Sequence, residues 1–348
     1  MTVASGHPAA IQLTVGEAHA LAMGALIAAG APGEVAGAVA RHVVDAELAG
    51  HPSHGLRQVP LYCASAGRPG FDLRAMPRVV ARRPALATID AAGGLGYLAL
   101  AAAVDIAAAA AREHGIAASA VLRCGHAGRA GAWAERGTRQ GCVTLVTLGG
   151  ADPPFTVSAA PGANPALHTN PVTIGVPGDG TPLLLDMATS MIAEGKVHVA
   201  LAAGASLPPG CILGPDGRPA TDPAAFVRGG SLLPAAGHKG FGLSAIVEAL
   251  AVSLTGADGA GLRPREGALV VCIDAAAFRP AEGVARSVEL LRTRVRRSGS
   301  DGEVMAPGDP EERNRVASGG IITADPAVVA RLRELARAPG GREEAGRP

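Results

Sequence analysis

Apolar residues recur at helical spacing from near the start of the chain. Leu21, Ala25 and Ala28, then Val35, Val39, Val43 and Leu48, flank the break at Gly30-Ala-Pro-Gly33. Repeats of three and four line one face of a helix, whereas Gly and Pro interrupt it, so two helices over 14–49 follow. The periodicity stops at Gly50-His-Pro-Ser-His-Gly-Leu-Arg57, a polar and small run that reads as a functional loop or helix start. Strand patterns at Arg78–Ala81 and Ala87–Asp90 precede a Gly-rich turn and an alanine helix over Tyr97–Arg112. Ala117–Leu122 and Cys142–Leu148 read as strands separated by a helix around Trp133, and short β runs alternate with turns up to Leu185. Helices are expected at Ser190–Ala203 and Gly242–Thr255, a strand at Ala268–Ile273, an amphipathic helix at Ala281–Arg297 and a frayed polar tail at Pro339–Pro348. Without internal repeats, this mixture predicts an α/β or α+β fold of several layers.

Charge and composition narrow the function. The 31 basic and 30 acidic residues leave a formal charge of +1, which excludes an overall basic nucleic-acid binder. The Arg-rich stretch Arg292–Arg297 reads as a solvated helix end, since two tyrosines, one tryptophan and five phenylalanines are few for stacking on bases. No 18-residue run is apolar and uncharged, so no membrane span is expected. Met1–Thr14 lacks the basic and apolar regions of a secretory leader, which predicts a cytoplasmic protein. Cys63, Cys124, Cys142, Cys211 and Cys272 form no CxxC and read as buried free thiols rather than a disulfide frame or zinc ligands. Arginine outnumbers lysine 29 to two. The surviving Lys196 and Lys239 are therefore candidates for work that needs a compact ammonium rather than a guanidinium fork.

Several constellations could carry chemistry. Gly94-Leu-Gly96-Tyr-Leu-Ala99 has the spacing of a dinucleotide turn, but no second strand ends in an acid about 20 residues later, and Glu113 falls at the end of the alanine helix. Ser53-His54-Gly55, with Arg57 and Tyr62 close behind, combines a group able to give a proton near neutral pH with a cation able to hold a carboxylate. A capping or packing role for His54 competes with this. His51 and His54 lack the partners of a metal site, and no metal is expected. His126 follows a strand in Cys124-Gly-His-Ala-Gly128, where a cleft-facing or a turn role is open. Asp186 leaves the apolar run Leu183–Leu185 and precedes Ser190, and either can equally serve as a helix cap.

In order along most of the chain, seven blocks resemble the type 2 malate/L-lactate dehydrogenase family, which includes ureidoglycolate, sulfolactate and diketogulonate dehydrogenases and cyclic imino acid reductases. They are Gly50-His-x-Ser-His-Gly55, Gly93-Gly-x-Gly96, Gly125-His-x-Gly128, Thr169-Asn-Pro171, Asp186-Met-Ala-Thr-Ser190 with Gly195-Lys196, Lys239-Gly-Phe-Gly-Leu243 and Ala306-Pro-Gly-Asp309. The resemblance implies an NAD- or NADP-dependent oxidoreductase of non-Rossmann fold with a helical N-terminal region and a mixed or antiparallel sheet core. It also implies a homodimer with an active site between domains. The domains expected are 11–75, joined by 281–340; 76–140 with 228–280; and a cofactor-binding domain at 141–227.

By resemblance, His54 is the acid/base, supported by Ser53 and Asp186, with His126 lining the cleft. Arg57, Tyr62, His168 and Thr169 are the expected substrate contacts. Asn170, Asp186, Met187, Ala188, Thr189, Ser190, Lys196, His238, Lys239, Gly308 and Asp309 are the expected cofactor contacts. The expected substrate is a small 2-oxo or 2-hydroxy acid, with a cyclic 2-imino acid as the alternative, and a non-catalytic metabolite-binding homologue is the rival from another class. Two departures bear on substrate identity. Gln58 stands where the family carries an arginine, with Arg57 one position earlier, and His168 replaces the glycine of Gly-Thr-Asn-Pro.

Overall fold

A computed structural model describes residues 10–160, 162–300 and 302–337; the expected frayed tail at 339–348 lies outside the described residues. In chain order the strands are β1 (Ile11–Thr14), β2 (Arg78–Arg83), β3 (Leu86–Asp90), β4 (Ile116–Leu122), β5 (Cys142–Gly150), β6 (Val157–Ser158), β7 (Pro165–Leu167), β8 (Val172–Val176), β9 (Leu183–Met187), β10 (Ile212–Leu213), β11 (Pro219–Ala220), β12 (Ser231–Leu232), β13 (Glu266–Asp274) and β14 (Ile321–Ala324). The helices are α1 (Val15–Ala28), α2 (Gly33–Leu48), α3 (Gln58–Ser65), α4 (Tyr97–His114), α5 (Gly131–Thr138), α6 (Glu194–Ala202), α7 (Pro223–Val227), α8 (His238–Glu248), α9 (Ala281–Arg296), α10 (Asp309–Ser318) and α11 (Pro326–Arg337). The fold is mixed α/β, and the chain divides into two compact units, 1–74 with 310–348, and 75–309.

In the first unit, α1 begins at a reciprocal cap. The Thr14 hydroxyl accepts from the Glu17 amide at 3.2 Å, and the Glu17 carboxylate accepts from the Thr14 amide at 2.8 Å. β1 pairs antiparallel with β14, Ile11 opposite Ala324, which returns the C-terminal segment to the N-terminal helices. The sequence pattern missed this two-stranded ribbon, because four-residue strands are too short to show alternation.

The second unit is built on a seven-stranded sheet in the order β2-β3-β4-β13-β5-β8-β9. β3 and β4, joined by the crossover helix α4, run parallel, and every other neighbouring pair in this sheet is antiparallel. Helix α4 lies close because its inner face is alanine: Ala99, Ala103, Ala107 and Ala111 are all buried. Gly94 and Gly96 serve packing at the turn before it. A Cβ at position 94 would come within 2.7 Å of the Ala75 side chain, and one at 96 within 2.7 Å of the Cys124 thiol. A smaller five-stranded sheet, β11-β10-β12-β6-β7, encloses its own core of Val157, Ile212, Phe226 and Leu232.

Two expected helix starts shift. The helix expected from Ser190 begins at Glu194, because Ser190 bridges to Pro234 and its hydroxyl donates to the Ile192 carbonyl at 2.8 Å. The one expected from Gly242 begins at His238, where Gly237 adopts φ +64 as its cap.

The registers place the motifs. Asp90 pairs with Leu122, Leu122 with Gly267, Glu266 with Gly150, Thr147 with Val172, and Val172 with Met187. The loops carrying His126, Asp152, His168 to Asn170 and Ala188 to Ser190 therefore all leave the sheet at one end. Four blocks separated in sequence become neighbouring loops through strand pairing alone.

Candidate active site

In the first unit the polar run after α2 folds into a single 3-10 turn, Pro52–His54, followed by α3. The Ser53 hydroxyl lies 3.0 Å from His54 Nδ1, and the Gln58 amide donates to the Ser53 carbonyl at 2.6 Å. Ser53 is buried, whereas the His54 and Arg57 side chains keep partial exposure, and Tyr62 is buried on α3. Behind the turn, Glu47 accepts from the Leu56 amide at 2.8 Å. A Cβ at position 55 would sit 2.1 Å from the same Glu47 oxygen, so only glycine lets the turn close over this carboxyl. Burial drives the Glu47 pKa up to about 7, against the opposing pull of the Leu56 amide and the Arg57 charge. His51 Nε2 is 3.1 Å from Glu311 Oε1 on α10, and Arg315 forms two bonds of 3.2 Å with Asp45. These contacts fix the backbone on both sides of Ser53 and His54.

In the second unit Asp186 stands on β9 beside the start of α5. Its Oδ2 accepts from the Gly131 amide at 2.9 Å and lies 3.9 Å from Arg129 Nη1. Arg129 is 1% exposed and pairs with Glu135 at 3.0 Å. His126 precedes this group by one short turn; its Nδ1 accepts from the Gly128 amide at 3.3 Å. His126 is exposed, and the surrounding protein lowers its pKa from the ordinary imidazole value to about 4 by partial desolvation. With Nδ1 accepting, the proton sits on Nε2, which makes this side chain a hydrogen-bond donor there.

The remaining expected contacts form three groups. Thr169 and Asn170 join the 186–190 block directly: the Thr189 hydroxyl donates to both their carbonyls, at 3.0 and 3.1 Å. The Asn170 side-chain amide donates to Ser244 and Glu248 on α8, the helix that starts with His238 and Lys239. His238 and Lys239 are exposed, as is Lys196 in the first turn of α6, and Met187 and Ala188 are half-buried. His168 is tied to the loop after β5, donating from Nε2 to the Asp152 carbonyl at 2.9 Å and stacking at a tilt on Phe155. Gly308 and Asp309 belong to a loop bound to β9, the strand of Asp186, where the Leu184 amide donates to the Pro307 carbonyl at 3.1 Å. Asp309 is gripped by two 2.7 Å bonds from Arg296 and by Arg292, which hold its carboxyl far below the usual range against its partial burial, and Gly308 packs against Pro182 and Leu184.

Glu266, unremarked in the sequence, ends the central strand beside Gly150, and burial followed by the Asp152 charge pushes its pKa up to about 7. Among the described residues, no cluster of three His, Cys, Asp or Glu side chains is placed to hold a metal ion, and no helix is long and apolar enough to cross a membrane.

A family model described as malate/L-lactate dehydrogenase matches residues 13–333. The chain belongs to that family. It is 38% identical over 285 residues to Δ1-pyrroline-2-carboxylate reductase of Ancylobacter novellus, covering 77% of this chain and 81% of the relative. It is 35% identical over 338 residues to the NADP(+)-dependent (2R)-3-sulfolactate dehydrogenase of Chromohalobacter salexigens, covering 93% and 98%. The crystal structure of Δ1-piperideine-2-carboxylate reductase from Pseudomonas syringae pv. tomato superposes with a TM-score of 0.82 at 31% identity, over 93% of this chain and 99% of that one. Membership in this malate/L-lactate dehydrogenase family makes the chain an NAD(P)-dependent dehydrogenase or reductase.

Glu47, Arg129 and Glu135 escaped the sequence reading. None belongs to a motif, and what marks them is structural: Arg129 and Glu135 are buried, and Glu47 accepts from the Leu56 amide beneath the histidine turn.

Proposed function

We propose that this protein transfers hydride between a nicotinamide dinucleotide and a small 2-oxo or 2-hydroxy acid, with His54 as the proton donor and acceptor. The observation that carries the proposal is the Ser53–His54 pair, held from behind by Glu47 and Gln58, in a chain of this family. A cyclic 2-imino acid is the second reading, favoured by two of the relatives named above.

The residues suit a dinucleotide. Helix α8 opens at Gly237 with no side-chain cap, and exposed His238 and Lys239 flank its first amides. A helix start of this kind, with a lysine, favours a phosphate group. An open groove of about 460 Å³, lined by Met191, Gly210, Gly217, Pro234 and Gly237, adjoins it. When bound, the nicotinamide supplies or accepts the hydride. The 141–227 segment with α8 would hold the cofactor, through Thr189, Ser190 and Lys196 besides His238 and Lys239, on a fold other than the Rossmann type.

The chain's own residues handle the proton and the carboxylate. Reduction of C=O or C=N leaves electron density on oxygen or nitrogen, which a protonated imidazole neutralises. Ser53 takes Nδ1 of His54, leaving Nε2 for the substrate, and Asp186 is the carboxylate assigned to the same proton transfer. In the first unit Arg57 and Tyr62 are assigned to the substrate, Arg57 to its carboxylate; in the second, Thr169 and the Nε2 donor of His126 are assigned to it. We also propose a homodimer, as the family resemblance implies, and a cytoplasmic placement.

The test is a fluorescence titration with NADH and NADPH, followed by nucleotide oxidation with pyruvate, oxaloacetate, 2-oxoglutarate and Δ1-piperideine-2-carboxylate. Turnover of a 2-oxo acid is expected. Turnover of the imine alone moves the assignment to the second reading, and folded protein that binds neither nucleotide refutes both.

A further inference from the structure

The proposed function asks Asp186 to act as a carboxylate, and its surroundings in the second unit favour that state. Asp186 Oδ2 receives the amide of Gly131, the first residue of α5, and faces Arg129 Nη1 at 3.9 Å. The approach depends on glycine at 131, where a Cβ would lie 2.5 Å from Oδ2 and 2.7 Å from Nη1 of Arg129. Arg129 is 1% exposed, and such a guanidinium is stable only against a carboxylate. Glu135, one helical turn into α5, fills that role at 3.0 Å and is itself steadied by Arg139 at 3.3 Å. On the β8 side Asp186 neighbours Thr173, which carries no charge and donates to the Leu185 carbonyl. Within the second unit a chain of charges thus reaches Asp186 through Arg129, with Glu135 and then Arg139 behind it.

We propose that Arg129, clamped by Glu135, is a positioning residue that holds Asp186 ionised and in one rotamer. This rests on the reading of Asp186 as a catalytic carboxylate. A helix N-terminus and a buried cation act on the same oxygen, and both favour the anion. The arrangement differs from a merely structural ion pair, which would need Glu135 alone.

The experiment compares wild type, Arg129→Met, Arg129→Lys and the double variant Arg129→Met/Glu135→Gln, which removes both charges of the buried pair and so avoids stranding one. The readouts are the pH profile of kcat/KM with the best 2-oxo acid, and a ¹³C-carboxyl NMR titration of aspartate-labelled protein with the Asp186 signal assigned from Asp186→Asn. Loss of the cation should move the acid limb and the Asp186 titration up by about one pH unit or more. Lysine should restore most of that shift. A uniform fall in kcat/KM at every pH, with the Asp186 titration unmoved in the double variant, overturns the proposal. If wild type turns over no substrate, the functional reading fails instead, and the NMR titration still decides the role of Arg129.

Discussion

Glu47 gives the sharpest quantitative test of how the histidine turn is supported. Its carboxyl is buried beneath Gly55, keeps one backbone hydrogen bond, and titrates near 7 rather than 4.5. A folded-state pKa raised above the unfolded value means that the folded protein binds the proton more tightly. The stability is then fully present below pH 4.5 and lost as pH rises through about 7. At 1.36 kcal/mol per pH unit, the rise corresponds to about 3 kcal/mol lost by pH 8.5. Glu47→Gln copies the neutral acid, since its amide oxygen can still accept from Leu56. Differential scanning fluorimetry of both proteins across pH cancels every other titrating group. Equal Tm is expected at pH 4, with the variant higher by roughly 4 °C at pH 8.5. A Tm difference that stays constant from pH 4 to 8.5 refutes the reasoning, because a buried acid forced to ionise must produce a pH-dependent gap.

Other perturbations separate the proposed roles. His54→Ala should lower turnover by roughly 100-fold or more while NAD(P)H still binds by fluorescence, as loss of a general acid predicts; full turnover removes His54 from the mechanism. Lys239→Met should weaken NAD(P)H binding by about tenfold or more and leave saturated turnover within a few-fold, the signature of a charge-assisted contact to phosphate; unchanged affinity rejects that contact. Asp309→Asn should destabilise the protein by about 3–5 kcal/mol, because it strands Arg292, which is 2% exposed. Urea denaturation reads that loss, and a variant as stable as wild type shows that the cluster is dispensable.

The larger elements were legible because their patterns were long. The alanine helix, the helical pair at the N-terminus and the strands at Ala117–Leu122 and Cys142–Leu148 appear where periodicity put them. The parallel pairing of β3 with β4 through α4 also follows from the strand-turn-helix order. What the pattern could not carry was pairing across hundreds of residues. Nothing local says that β13 inserts between β4 and β5, yet that insertion puts Glu266 among the loops of His126 and His168. Ser53 and His54 were visible as a motif, whereas the Glu47 beneath them was not, since its role depends on a nine-residue return of the backbone. Arg129 looked like one of 29 arginines, and its distinction is burial, which sequence does not display.

The two exposed ammonium groups have a use beyond binding. Lys196 and Lys239 are the sequence's only side-chain amines, and each stands on the surface in the first turn of a helix. Any amine-directed reagent is thus confined, among side chains, to two addresses in the elements assigned to the nucleotide. Acylation followed by intact-mass spectrometry becomes a direct count of how many of those addresses a bound nucleotide shields, with no engineered label.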